Sequence, residues 1–198
     1  MEASAKERRY QQRKREIIDA AAKVFAEKGY HGASTKDIAT VLGIQQGSLY
    51  HYVTSKEEAL EEVCWEGVEG FSIGAQHILA ADKPTIKKIE EAVANHLVPM
   101  RDRQDYVIVF NSERHHLPDD KRRRVGKSSR QYEAVIEEIF VEGIASGELR
   151  KDLNPRLATL ALLGLCNSAT PWLRKSHDFA IDQVVKAFAK ILTTGVVS

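Results

Sequence analysis

The run Gln45-Gln46-Gly47-Ser48-Leu49-Tyr50-His51-Tyr52 is dense in hydrogen-bonding side chains. A primary amide presents a donor and an acceptor side by side, the pattern that pairs with adenine in the major groove of a duplex. Gln45 and Gln46 are therefore the candidate base readers. Gly47 allows close approach to another polymer, while the hydroxyl or imidazole groups of Ser48, Tyr50, His51 and Tyr52 can reach phosphate oxygens. Such contacts position a protein without specifying sequence. Thr35 and Lys56 fall where flanking helices begin, and there the helix dipole also favours phosphate. Leu49 is expected to point inward. No phosphate loop, nucleophile elbow, dinucleotide fingerprint or metalloprotease helix occurs, so the chemistry on offer is recognition and not catalysis.

Groove recognition of this kind needs two short helices about a tight turn, the first bracing the second. Residues 34–52 have that layout. Ser34 with Asp37 makes a capping-box start, Ile38, Ala39, Val41 and Leu42 form a short helix, and Gly43 ends it. The second short helix is expected over Gln45 to Tyr52. Ahead of the pair, Ile17, Ile18, Ala21, Ala22, Val24 and Phe25 recur at helical spacing until Gly29, which suits a left-handed stop. Residues 1–16 carry six Lys or Arg against three Glu with no apolar periodicity, and read as a basic arm leading into that helix. The arm is either a solvated tail or a DNA contact.

Behind the pair, Ser55 with Glu58 opens a long helix whose apolar face runs to about Ala81, about 39 Å at 1.5 Å per residue. That length can link two modules. Pro84 is expected at the first position of a helix carrying Ile86 to Met100, followed by a short apolar segment, Val107 to Phe110, and a loop over Arg114 to Pro118. Tyr132 to Ile144 marks another helix, which Gly147 ends. Asn154-Pro155 starts a helix apolar nearly all round, and Asp178 is a candidate cap for a last helix with the stripe Ile181, Val184, Val185, Phe188, Ile191 and Leu192. No segment alternates as a strand, so the fold class expected is all-α.

Composition sets wider bounds. Net charge is only +1 over 198 residues, so any nucleic-acid partner must be argued from where the charges sit. Cys64 and Cys166 are too few for a disulfide framework or a zinc site. No membrane span and no secretion signal is expected, and the two isolated cysteines fit a reducing cytoplasm. His96 lies on an apolar face and reads as a core histidine, while His115 and His116 lack further metal ligands. No cofactor is expected.

Val24-Phe25, Gly29-Tyr30, Ser34-Thr35, Asp37-Ile38-Ala39, Gly43-Ile44, Gly47-Ser48-Leu49-Tyr50 and Ser55-Lys56-Glu57 together resemble the DNA-binding signature of the TetR family. Tyr52 and Val53 depart from it, standing where a His-Phe pair is common. The resemblance implies a three-helix helix-turn-helix domain over residues 1–53 and a helical ligand-binding and dimerisation domain over 54–198. It also implies a homodimer formed by helices over 155–174 and 178–194, a near-palindromic operator, and a repressor released by a small-molecule effector. Leu160 to Asn167 with Trp172 resembles a TetR subgroup that governs fatty-acid and sterol breakdown, whose members often sense acyl-coenzyme A thioesters. For such a ligand, Phe71, Phe110, Asn167 and Trp172 would line an apolar tunnel. Arg114, with Lys121 to Arg124, Lys127 and Arg130, would meet phosphates. The alternatives are a solvated basic helix face, a structural Trp172, a redox-responsive protein acting through its cysteines, and a ligand-independent DNA binder.

Overall fold

The computed structural model describes residues 4–169, 172–173 and 179–196. Its helices are α1 (Ala5–Gly32), α2 (Thr35–Val41), α3 (Gln46–Leu49), α4 (Lys56–Ala80), α5 (Thr85–Asp102), α6 (Gln104–Glu113), a 3-10 turn (Arg114–His116), α7 (Asp119–Ser146), α8 (Pro155–Ser168) and α9 (Ile181–Val196). Among the described residues there is no strand, as the patterning predicts. None of their helices is long and apolar enough to cross a membrane. Two compact units form, one from the residues up to Gly67 with Asp105–Val125, the other from Val68–Gln104 with the residues from Gly126 onward. The three divisions fall inside helices α4, α6 and α7.

In the first unit the apolar residues that fix the helical period, Ile17, Phe25, Ile38, Leu49 and Leu60 among them, are fully buried. Each such side chain contributes about 1.5–3 kcal/mol relative to exposure. The basic arm differs from expectation: it is helical from Ala5, capped by Ser4, whose Oγ accepts the Glu7 N–H at 3.1 Å. It has no apolar periodicity because almost nothing there is buried. Its helicity comes from good helix formers without Gly or Pro, and from side-chain pairs such as Gln11 with Glu7 (3.0 Å) and Arg13 with Glu16 (2.5 Å).

Gly29, Gly43 and Gly147 are the positive-φ residues among those described, at the three stops the sequence indicates. At Gly29, φ of 68° breaks the helical path inside α1, and the Ala33 N–H returns to the Gly29 carbonyl at 3.2 Å. The Ser34–Asp37 capping box is complete, with bonds of 3.1 and 2.9 Å. Hydrogen bonds from Lys28 and Ser34 hold the Asp37 carboxyl down to about 2. Helix α3 is shorter than expected because the chain curls out of it, with the Tyr52 and Val53 N–H groups both returning to the Leu49 carbonyl and Val53 becoming fully buried. At the start of α4, Ser55 caps Glu58, whose carboxylate reaches the Thr54 N–H at 2.6 Å.

In the second unit Pro84 stands just outside α5, and not at its first helical position. Glu148 binds the Thr85 N–H (2.8 Å) and hydroxyl (3.0 Å), satisfying the helix start from a distant segment. Asn154 caps α8 through the Leu157 N–H at 2.9 Å. Helix α9 packs along α5, and α8 touches both. The expected cap Asp178, and residues 170–171 and 174 of the helix expected over 155–174, lie outside the described residues.

Candidate functional site

Three of the residues singled out for DNA contact meet within the first unit. Gln46 Nε2 donates to Thr35 Oγ1 at 2.7 Å and lies 3.4 Å from the Tyr50 hydroxyl, which is itself 3.2 Å from Thr35 Oγ1. The clamp engages the amide nitrogen with both hydroxyls and leaves Oε1 for a base edge. A Gln held in one rotamer has already lost side-chain freedom worth up to about 1.5–2 kcal/mol, which binding then need not overcome. Gln45, at the cap of α3, is exposed, as are Gly47, Ser48, Tyr50 and His51. A Cβ added at Gly47 would meet nothing within 4 Å, so no contact within the chain requires glycine there. Tyr52 is half-buried beneath the Tyr10 ring, with centroids 5.0 Å apart.

Lys56 has a role the sequence does not reveal. Its ammonium donates to the Tyr30 carbonyl (2.9 Å) and the Ala33 carbonyl (3.0 Å) and sits 4.4 Å over the Tyr30 ring. These bonds satisfy carbonyls at the end of α1, and one ammonium proton remains for a phosphate. At the same turn, Glu113 Oε2 accepts the Tyr30 N–H at 2.9 Å. Burial opposes the Glu113 charge, but bonds from Tyr30 and Ser112 and the nearby His116 and His115 hold its carboxyl below the usual range. His31 and His115 lie edge-on to or tilted against His116, at centroid distances of 4.3 and 3.9 Å. Sequence separation hides this cluster: His31 is far from its partners along the chain.

The second unit contains a buried polar core. His96 is 7% exposed, with Nδ1 2.9 Å from the Tyr132 hydroxyl and Nε2 3.1 Å from Asn167 Oδ1. An amide oxygen only accepts, so Nε2 carries the proton and Tyr132 donates to Nδ1 in this assignment. Burial lowers His96 to about 4 and pushes the Tyr132 hydroxyl up, so both are neutral near pH 7. Phe71 packs on them, 5.2 Å from His96 and 5.9 Å from Tyr132, and its carbonyl accepts from Asn95 Nδ2 at 3.1 Å. Ser72 Oγ is buried without a partner. His96, Tyr132 and Asn167 thus satisfy one another beneath the Phe71 ring.

Of the residues assigned to a ligand, Phe71 and Asn167 are thus brought together through His96. Trp172 packs instead on Phe179 (6.5 Å) and Phe188 (6.3 Å). Phe110 and Arg114 belong to the first unit, where the guanidinium lies 4.6 Å over the Phe110 ring. In the basic run, Lys121 bridges Glu57 (3.3 Å) and Glu61 (2.9 Å), Arg124 meets Glu61 and stacks on Trp65, and Arg122 pairs with Asp119. Arg123, Lys127 and Arg130 are exposed. Both cysteines are buried, and desolvation pushes each thiol up to about 12, which disfavours the reactive thiolate.

The description "Bacterial regulatory proteins, tetR family" matches residues 17–63, spanning all nine DNA-contact candidates, and "Tetracyclin repressor-like, C-terminal domain" matches residues 82–196, more than half the chain. The chain belongs to the TetR family. It is 25% identical over 182 residues to a fatty acid metabolism regulator protein of Bacillus subtilis, covering 91% of this chain and 94% of that one. It is 26% identical over 187 residues to the transcriptional repressor KstR2 of Rhodococcus jostii, covering 94% and 92%. Two solved TetR-like structures share the fold. KstR2 of Mycobacterium tuberculosis has a TM-score of 0.85 at 22% identity, covering 94% of this chain and 95% of that one. AibR, solved with isovaleryl coenzyme A and operator DNA, has a TM-score of 0.81 at 20% identity, covering 91% and 98%.

Proposed function

We propose that this TetR-family protein is a cytoplasmic transcriptional repressor that binds a near-palindromic operator as a homodimer and is released by an acyl-coenzyme A thioester. The observation that carries the DNA-binding half is the pre-set Gln46 amide beside the exposed Gln45, at the start of a helix braced by α2. In this reading residues 1–53 form the DNA-binding domain and 54–198 the sensing domain. Thr35, Gln45, Gln46, Gly47, Ser48, Tyr50, His51, Tyr52 and the third proton of Lys56 meet the duplex.

Support for a dimer comes from α8 and the segment leading into and along α9. Leu157, Leu160, Phe179 and Ile191 are 65%, 44%, 60% and 61% exposed, a set of large apolar side chains that a second copy would cover. Support for the effector comes from the neutral core around His96 and from relatives named for fatty-acid and steroid control. Within the second unit, Phe71 and Asn167 would face the acyl part.

The test is fluorescence anisotropy on DNA from the region upstream of the protein's own gene, with and without long-chain and steroid-derived acyl-coenzyme A. Release by micromolar thioester supports the reading. Tight binding indifferent to every thioester removes the effector and keeps the repressor.

A further inference from the structure

The first twelve residues of α1 are strongly basic. From Ala5 to Glu16 six cations stand against two carboxylates, although the whole chain is only +1, so the rest of the chain is net acidic. Like charges at helical spacing, such as Arg9 with Arg13, oppose helix formation in water. The segment is helical nonetheless, and two contacts pin it to the helix-turn-helix. Tyr10 stacks on Tyr52 at the end of the recognition segment, with rings 25° from parallel, and Lys14 Nζ bonds Glu62 Oε1 of α4 at 2.7 Å. Tyr10 and Lys14, four residues apart, define the inward face. Lys6, Arg9 and Arg13, at i, i+3 and i+7, form a stripe along one side of it, with Lys6 and Arg9 exposed.

We infer that this amino-terminal extension of α1 is a rigid electrostatic arm that binds the sugar-phosphate backbone of the operator outside the bases read by Gln45 and Gln46. The inference rests on the DNA-binding reading above. The pinning decides against a solvated tail, because Tyr52 couples the basic stripe to the segment that docks on the duplex. At 1.5 Å per residue the extension is about 18 Å long. Lys6 and Arg9 stand about 4.5 Å apart along its axis, more than one 3.4 Å step of a strand, so their long side chains can meet separate phosphates. The arm adds affinity and association rate to any duplex and leaves base preference unchanged.

The test compares the wild type, the double variant Lys6→Ala/Arg9→Ala and the control Lys151→Ala by operator affinity over a salt series. Two phosphate contacts per protomer, four per dimer, make the slope of log K against log salt shallower by about 3.6 in the double variant. Between 100 and 200 mM salt the wild type would then lose about 12-fold more affinity than the double variant. Lys151→Ala keeps the wild-type slope. Tyr10→Ala, which unpins the arm, moves the slope in the same direction, while Tyr10→Phe, which keeps the stack, does not. Intact operator binding with an unchanged slope in the double variant overturns the arm and leaves the repressor standing. A wild type that binds no operator overturns the repressor reading itself. A loss of base preference in the double variant contradicts the assignment of these residues to the backbone.

Discussion

Taking the protein from pH 7.5 to pH 5.0 should cost about 2 kcal/mol of folding stability through His96 alone. Burial lowers this imidazole from the ordinary histidine value near 6.5 to about 4 in the folded chain. Between those values the unfolded chain binds a proton that the folded chain refuses. Stability is therefore fully present above the unfolded value, falls with pH through the window, and levels off near pH 4 at a total of about 3 kcal/mol. For a chain of this size the loss at pH 5.0 lowers Tm by about 4–8 °C. Urea unfolding at the two pH values, at fixed protein concentration, would be run on the wild type and on His96→Gln. A glutamine amide can accept from Tyr132 and donate to Asn167 but does not titrate. All other titrating groups are common to both proteins, so the difference between the two pH responses isolates His96. Parallel responses, within about 0.5 kcal/mol, would refute a buried neutral imidazole.

Three further outcomes are expected. Lys56→Ala leaves the Tyr30 and Ala33 carbonyls without their ammonium and should lower stability by about 1–3 kcal/mol, read as a drop in the urea midpoint. Gly143→Ala would put a Cβ 2.4 Å from Thr85 Cγ2 and 2.7 Å from Leu149 Cδ1; overpacking of about 1–3 kcal/mol then exceeds the gain in helix propensity, and calorimetry should show a lower Tm. Leu160→Asp should yield a folded monomer by analytical ultracentrifugation with much weaker operator binding; an unchanged dimer would take Leu160 out of the interface.

Much of the fold was legible because local signals agreed with one another. Ser34 and Asp37, Asn154 and Pro155, and the left-handed stops at Gly29, Gly43 and Gly147 each fix a helix end through backbone geometry within a few residues. The early start of α1 was not legible from periodicity, since periodicity records burial and that segment buries almost nothing; its composition of Arg, Lys, Gln and Glu was the available signal. The Thr35–Gln46–Tyr50 clamp joins residues that the motif already singled out, yet spacing alone does not say that they bond to each other. The core around His96 was harder to see. Its members come from α4, α5, α7 and α8, and only tertiary packing shows that a histidine on an apolar face meets Tyr132 and Asn167.

The most direct test of the central claim is the affinity of the wild type, Gln45→Ala and Gln46→Ala for a panel of operators bearing every single-base change. Each variant should lose about 1–3 kcal/mol on the native operator and lose discrimination at one base-pair position, repeated symmetrically in the two half-sites. A uniform loss on all sequences, or no loss at either glutamine, would contradict the assignment of this face of α3 to base recognition.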